Sequence, residues 1–315
     1  MSDTETGGPG GGPRVGPGVR PDARGIAWVD GRLAAVDAPA LLVGDRGFQL
    51  GDGLFETLRV RRGVAIEIGL HLARLREGLG VLAISMPLSD EALAAGIAAV
   101  VAANAPADAA VRITVSRGAP SGRGLLPAGW RELAPTVVIQ AWPHVPVPAA
   151  VLARGARVVI ATGRRDPAHP LASVKTTSRA DHVHAKLEAE RVGADDAITL
   201  TIDGHVAEAT TANVAVLVGA RVLTPPLAAG ILAGTTRDWL IRPEGAASLG
   251  LAAAEAWLTP DDLLAADEVL LCSSVAGFQP VVALGDAPIA GGVPGPWAAR
   301  LREARESWIV AASGG

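Results

Sequence analysis

One cysteine, no tyrosine and only three phenylalanines occur in the 315 residues of the chain. The lone thiol, Cys272, excludes an internal disulfide, and the histidines and cysteine show no metal-type spacing. No uninterrupted apolar run approaches the ~20 residues that span a bilayer. No charged segment followed by an apolar one opens the chain, so the expected compartment is the cytoplasm. Charge of one sign is missing as well: 28 Lys and Arg stand against 32 Asp and Glu, a net charge of −4, and the cations are scattered. That leaves no basic stripe for nucleic acid or an anionic membrane and favours a small neutral or anionic ligand.

What is present is enough apolar material, 49% of residues, to build a core in each of two domains. Residues 1–23 are so rich in Gly and Pro that they are expected to form a disordered tail. Residues 24–141 read as a small α+β domain. Ile26–Val29 turns at Asp30-Gly31 into a return strand, and Leu54–Val60 alternates with period two, turns at Arg61–Gly63 and returns through Val64–Ile68. His71–Leu82 has helical spacing, Ser89 is placed to cap a helix running to Asn104, and Val111–Ser116 and Thr136–Ala141 complete the unit as strands. Residues 142–149, with three prolines, read as a stiff linker. The larger domain, 150–315, begins with a helix at Ala180–Arg191 stopped by Gly193. The hairpin Ala197–Ile202, Asp203-Gly204, His205–Ala209 follows, and then the strand pair Val214–Val218 and Val222–Thr224. A short helix from Arg237 has Gly234–Thr236 as its N-terminal turn.

Three features carry chemistry. Lys175 follows an apolar stretch, is followed by Thr176 and Thr177 and precedes a helix, a setting in which desolvation lowers an amine's pKa. Glu208 ends a hairpin strand between two alanines, where a carboxylate pairs well with a protonated ring nitrogen. Gly234-Thr235-Thr236 at a helix start offers N–H groups and hydroxyls to a phosphate. Each has a plain reading too: a solvated lysine, a cross-strand surface charge, a helix cap. In this order they supply the amine, carboxylate and anion cradle that a pyridoxal phosphate site requires.

At these residues the chain resembles the class IV aminotransferases, the fold type IV pyridoxal phosphate enzymes. The likeness runs from about Asp45 to Pro280. It includes Asp45-Arg46-Gly47-Phe48, Gly51-Asp52-Gly53-Leu54-Phe55-Glu56-Thr57-Leu58-Arg59, His71-Leu72-Ala73-Arg74-Leu75, Lys175, Gly193-Ala194-Asp195-Asp196-Ala197, Asp203-Gly204, Glu208, Asn213 and Gly230–Arg237. It implies a two-domain α+β fold with pyridoxal 5'-phosphate in the interdomain cleft, and a homodimer in which one subunit's small domain helps close its neighbour's site. It makes Lys175 the Schiff-base lysine and proton shuttle and Glu208 the partner of the pyridine nitrogen. Arg74, Thr235, Thr236 and Ser274 are implied for the phosphate and Leu232 for a ring face. Many relatives place a tyrosine four or five residues after the lysine, near the cofactor's phenolic oxygen. Arg179 stands there in this chain, a cation able to stabilise a phenolate. Arg123, in the loop Ser121–Gly124, is implied as a clamp for a substrate carboxylate, with Phe55 and Arg59 beside it as substrate-facing residues. Within the family the likeness is greatest to 4-amino-4-deoxychorismate lyases, which release pyruvate and 4-aminobenzoate. D-amino-acid and branched-chain aminotransferases come next, and a catalytically silent metabolite-binding paralogue is the non-enzymatic alternative.

Overall fold

Asp30 (φ 47°) and Gly31 (φ 94°) take the left-handed turn conformation that joins β1 (Ile26–Val29) to β2 (Arg32–Ala35). This hairpin opens the computed structural model, which describes residues 25–38 and 40–314; the tail expected over residues 1–23 lies outside them. A short helix, α1 (Arg46–Leu50), is capped by the Asp45 carboxylate and ends at Gly51 with φ 65°. Then come β3 (Gly53–Arg61), β4 (Val64–Ala65), α2 (Ile68–Leu82), α3 (Asp90–Asn104), β5 (Asp108–Ser116) and β6 (Thr136–Pro143). Ser89 caps α3 by accepting from the Ala92 N–H, as its position predicts. The strands form an antiparallel sheet in the order β2-β1-β6-β5-β3-β4, with α2 and α3 packed on it through Leu58, Leu93, Ile97, Val100, Val111 and Ile139.

One local expectation changes. The return strand expected over Val64–Ile68 is only two residues long, because Glu67 adopts φ 52° and Ile68 already begins α2. The Arg305 guanidinium grips the Glu67 carboxylate and fixes that reversal. The alternation of β3 separates two faces, both of which are buried. Leu54, Leu58 and Val60 enter the core under the helices, while Phe55 and Arg59 on the other face are buried as well.

The remaining elements are α4 (Ala149–Arg154), β7 (Ala156–Arg165), α5 (Ala180–Arg191), β8 (Asp196–Thr201), β9 (Val206–Ala209), β10 (Asn213–Val218), β11 (Arg221–Thr224), α6 (Thr235–Ile241), β12 (Ala252–Glu255), α7 (Pro260–Leu264), β13 (Glu268–Ser273), β14 (Gly277–Leu284), β15 (Ala287–Pro288) and α8 (Pro296–Ala312). Strands β10, β13, β14, β7, β8 and β9 follow one another around a ring, and the pair Asn213↔Glu208 between β9 and β10 closes it. Trp239 of α6 and Leu301 of α8 pack against Phe278 and Leu270 on the strands. Among the described residues no helix is long and apolar enough to cross a membrane.

The stretch after β7 returns to the first sheet. Phe55 donates its N–H to the Lys175 carbonyl (3.0 Å), Thr177 donates its N–H to Gly53 (2.8 Å), and the Thr177 hydroxyl donates to Gly51 (2.8 Å). Residues 175–177 thus occupy the open edge of β3, and the Lys175 backbone is held by strand-type bonds. Gly53 is where that edge is tightest: a Cβ there would lie 2.5 Å from the Val115 carbonyl oxygen. Gly53→Ala should therefore lower stability by about 1–3 kcal/mol, the range for forcing atoms into a filled site. A urea melt with unchanged m and a lower midpoint checks this; an unshifted midpoint contradicts it.

Candidate active site

Lys175 is partly exposed as a residue, but its ammonium end is surrounded by protein, 4.7 Å from the Phe55 ring centroid. Burial is the main force on it and lowers its pKa from 10.5 to about 8. The charges of Arg74 and Arg179 push the same way, and those of Glu56 and Glu208 oppose them. A lysine with this pKa is about one-tenth free amine at neutral pH, which a nucleophile or base needs.

Behind it lies an anchored ion cluster. Glu56 points into the interface between β3 and α2 and is buried. Arg74 grips it through two bonds (2.8 and 2.7 Å), and His71 contacts it at 2.7 Å. Against the upward push of burial, the bonds from Arg74 and His71 bring the Glu56 carboxyl down to about 2. The remaining arm of Arg74 reaches the Ala233 carbonyl, immediately before α6, and Thr235 at the start of that helix lies 3.5 Å from His71 Nε2. Gly234 is required there, because a Cβ would collide with Asn213 Oδ1. Arg74, Gly234 and Thr235 therefore line one cavity, the setting of a guanidinium and a helix start that suits an anion.

Glu208 is buried on the other side. Its Oε2 accepts from the Leu232 N–H (2.9 Å) and the Asn213 side-chain amide (3.4 Å), and its Oε1 is paired with Arg165 at 3.1 Å. A carboxylate has about four lone-pair sites, so three filled sites leave one acceptor for a donor arriving from the cavity. Arg74, Lys175, Arg179, Glu208, Leu232, Thr235 and Ser274 line that single cavity. Amine, lone acceptor and anion seat together match the aldehyde, protonated ring nitrogen and phosphate of pyridoxal phosphate.

Other expected residues lie elsewhere. Thr236 is buried and lines the neighbouring cavity under α8; Ser274 borders both cavities and donates its hydroxyl to the Thr57 carbonyl (2.9 Å). Arg59 is not brought to the cavity around Lys175. Both of its terminal nitrogens bond Glu306 of α8 (2.5 and 2.8 Å), so its charge serves to tie β3 to that helix. Arg123 is exposed, on a loop that Arg46 fixes through the Gly124 and Leu125 carbonyls, and it does not line the cavity of its own chain. Phe55 stands between two cations: Lys175 and, 3.7 Å from its centroid, the Arg112 guanidinium. No motif marks Arg112. Its one signal is that it faces Thr57 across the β3–β5 pair, on the side of Phe55. Glu56, His71 and Arg165 also lie outside the expected site set, although Glu56 and His71 fall inside the motif residues.

Residues 53–284 match the family model described as amino-transferase class IV, and the chain belongs to that family. The aminodeoxychorismate lyase of Vibrio harveyi is 34% identical over 261 residues, covering 81% of this chain and 89% of that protein. The D-alanine aminotransferase of Bacillus licheniformis is 29% identical over 281 residues, 89% of this chain and 96% of that protein. Among solved structures, a branched-chain amino acid aminotransferase from T.th. with pyridoxamine 5'-phosphate superposes with a TM-score of 0.84 at 26% identity, over 92% of this chain and 95% of that one. The chain is a pyridoxal-phosphate-dependent enzyme of the α+β fold type IV class.

In cofactor-free protein, acetylation of Lys175 followed by peptide mass spectrometry should titrate with a midpoint near pH 8 in place of 10.5. Glu56→Gln removes the largest charge holding that midpoint up, so it should fall further; a rise would contradict the electrostatics described.

Proposed function

We propose that the protein is a 4-amino-4-deoxychorismate lyase. The observation that carries this reading is the pair Arg112 and Arg179. Both are pushed down mainly by burial, and Arg112 further by the charge of Arg179. Neither has a carboxylate at ion-pair distance among the described residues. Arg112 has no carboxylate offsetting its burial, and Arg179 is offset only by the more distant charges of Glu208 and Asp181, so anions arriving with the substrate would be stabilised there. 4-Amino-4-deoxychorismate brings two carboxylates, both remote from its reacting amine, whereas a simple monocarboxylic amino acid brings one. The likeness to the Vibrio harveyi lyase supports the same reading.

Bound pyridoxal phosphate supplies a sink for the electron pair left when a bond to the amine-bearing carbon breaks. The chain's own residues do the rest. Lys175 is the base placed to take the proton from that carbon. Glu208 offers one acceptor to the ring nitrogen, and Arg74 with the α6 turn holds the phosphate. Arg179, in the place a tyrosine has in many relatives, would serve the phenolic oxygen, and Phe55 beside the Lys175 amine would keep water from it. Loss of pyruvate then leaves an aromatic product. An aminotransferase is the second reading, favoured by the close superposition on the branched-chain enzyme; there the amino group would be passed to a 2-oxo acid.

We propose also that two copies associate. Leu41, Leu42, Val43, Phe48, Leu125 and Leu126 are all exposed on the α1 region and the loop carrying Arg123, an apolar patch of the kind that marks an interface. Association brings Arg123 toward the neighbour's cavity, which accounts for its absence from its own.

Borohydride reduction with pyridoxal phosphate should fix the cofactor on Lys175, and Lys175→Ala should abolish turnover. Incubation with 4-amino-4-deoxychorismate should release pyruvate and 4-aminobenzoate. Amino transfer to 2-oxoglutarate without pyruvate release would replace the lyase with the second reading, and neither activity in a cofactor-loaded protein would identify a silent paralogue. Arg112→Leu should lower kcat/KM by ~1.5–3 kcal/mol, the worth of a charged hydrogen bond, without loss of cofactor. Mixing inactive Lys175→Ala with an impaired Arg123→Leu should restore part of the activity if the arginine acts across the dimer; no restoration would place it at its own subunit's site, and full activity of Arg123→Leu alone would assign it to neither.

A further inference from the structure

A second cavity of about 680 Å³ adjoins the cofactor cavity: Arg165, Asp181 and His182 line it, and Arg179 lines both. Arg165, the ion-pair partner of Glu208, does not float there. One terminal nitrogen donates to the Ala172 (2.6 Å) and Gly230 (3.0 Å) carbonyls, and Gly230 presents its carbonyl from a φ of 70°. The other terminal nitrogen contacts Glu208 at 3.1 Å and His182 Nε2 at 3.4 Å. The opposite ring nitrogen, His182 Nδ1, lies 2.7 Å from Asp181 Oδ1.

The chemistry of these contacts settles the proton positions. An arginine nitrogen only donates, so Nε2 of His182 must offer its lone pair, and Nδ1 must carry the hydrogen given to Asp181. A doubly protonated imidazole would set N–H against N–H. Burial and the charge of Arg179 push His182 toward the neutral form that this arrangement needs, against the pull of Asp181 and Glu208.

We propose that Asp181, His182 and Arg165 form a positioning chain for Glu208. Asp181 selects the His182 tautomer, His182 orients the Arg165 fork, and Arg165 holds the Glu208 carboxylate so that one acceptor faces the cofactor ring nitrogen. The three residues act through Glu208, and none of them lines the cofactor cavity. The inference rests on the pyridoxal phosphate assignment of the first cavity.

The test is a fluorescence titration of cofactor-free protein with pyridoxal phosphate, together with the visible spectrum of the loaded protein. His182→Leu removes the acceptor and should weaken binding about five- to tenfold, the effect of one charge-assisted bond lost at one remove, and shift the visible band. His182→Gln puts an amide oxygen near the Nε2 position and should restore affinity to within about twofold. In a Glu208→Gln background His182→Leu should change affinity by less than about twofold, because the chain has lost the carboxylate it positions. Wild-type affinity in His182→Leu overturns the proposal, as does a Gln variant as weak as Leu or an undiminished effect in the Glu208→Gln background. Melting of the cofactor-free variants separates lost positioning from lost folding. If His182→Leu does not fold, Asp181→Ala carries the same expectation from an exposed position. Wild-type protein that binds no pyridoxal phosphate overturns the cofactor assignment and the inference together; binding with any of the negative results above overturns the chain alone.

Discussion

The buried ion pair between Glu56 on β3 and Arg74 on α2 is the interaction on which the site depends. A carboxylate under a helix is costly unless its oxygens are filled, and here both are taken by one guanidinium, with His71 adding a third contact. The same guanidinium reaches Ala233, so the pair that holds α2 on the first sheet also places the start of α6 from the second. Removing one partner would leave an unpaired buried charge, a penalty of about 3–5 kcal/mol.

Around that anchor the protein keeps several charges enclosed and uses them unequally. Arg59 and Arg305 are spent on structure, since each bonds an acid across the boundary between β3 or its following turn and α8. Arg165 is spent on Glu208. Arg112 and Arg179 have no carboxylate at ion-pair distance, and Lys175, across the Phe55 ring from Arg112, sheds part of its charge through a lowered pKa. Around the reacting amine the cations Arg74 and Arg179 thus act against the carboxylates Glu56 and Glu208, and burial tips the balance toward the free amine.

Several parts of this arrangement were legible in the residues themselves. The Asp30-Gly31 turn, the Ser89 cap and the helix after Lys175 depend on local backbone chemistry, and each forms as its residues dictate. Lys175, Glu208, Arg74, Leu232 and Thr235 converge on one cavity because each lies in a tight local frame, at the end of a strand, beside a turn or on the inward face of a helix. Arg59 and Arg123 look as suitable as Arg74 in sequence, being cations in motif-like surroundings, and are drawn elsewhere. The partner of Arg59 is 247 residues distant, and no local pattern announces it. The period of β3 shows only that its two faces differ, and packing decides that both are buried.

The sequence by itself determined the chemical inventory: a lysine after an apolar stretch, a carboxylate at a strand end, a glycine-led helix start and no tyrosine. These follow from residue type and near-neighbour spacing, which act over a few bonds and survive any folding. Tertiary structure alone decided which charges are neutralised and which remain free. The closing of the strand ring at Asn213 and Glu208 and the insertion of Arg165 behind it belong to this second kind. So does the bridge from Arg59 to Glu306, because a charge's cost and its partner depend on distances through space in a medium that excludes water, and chain order does not encode those distances.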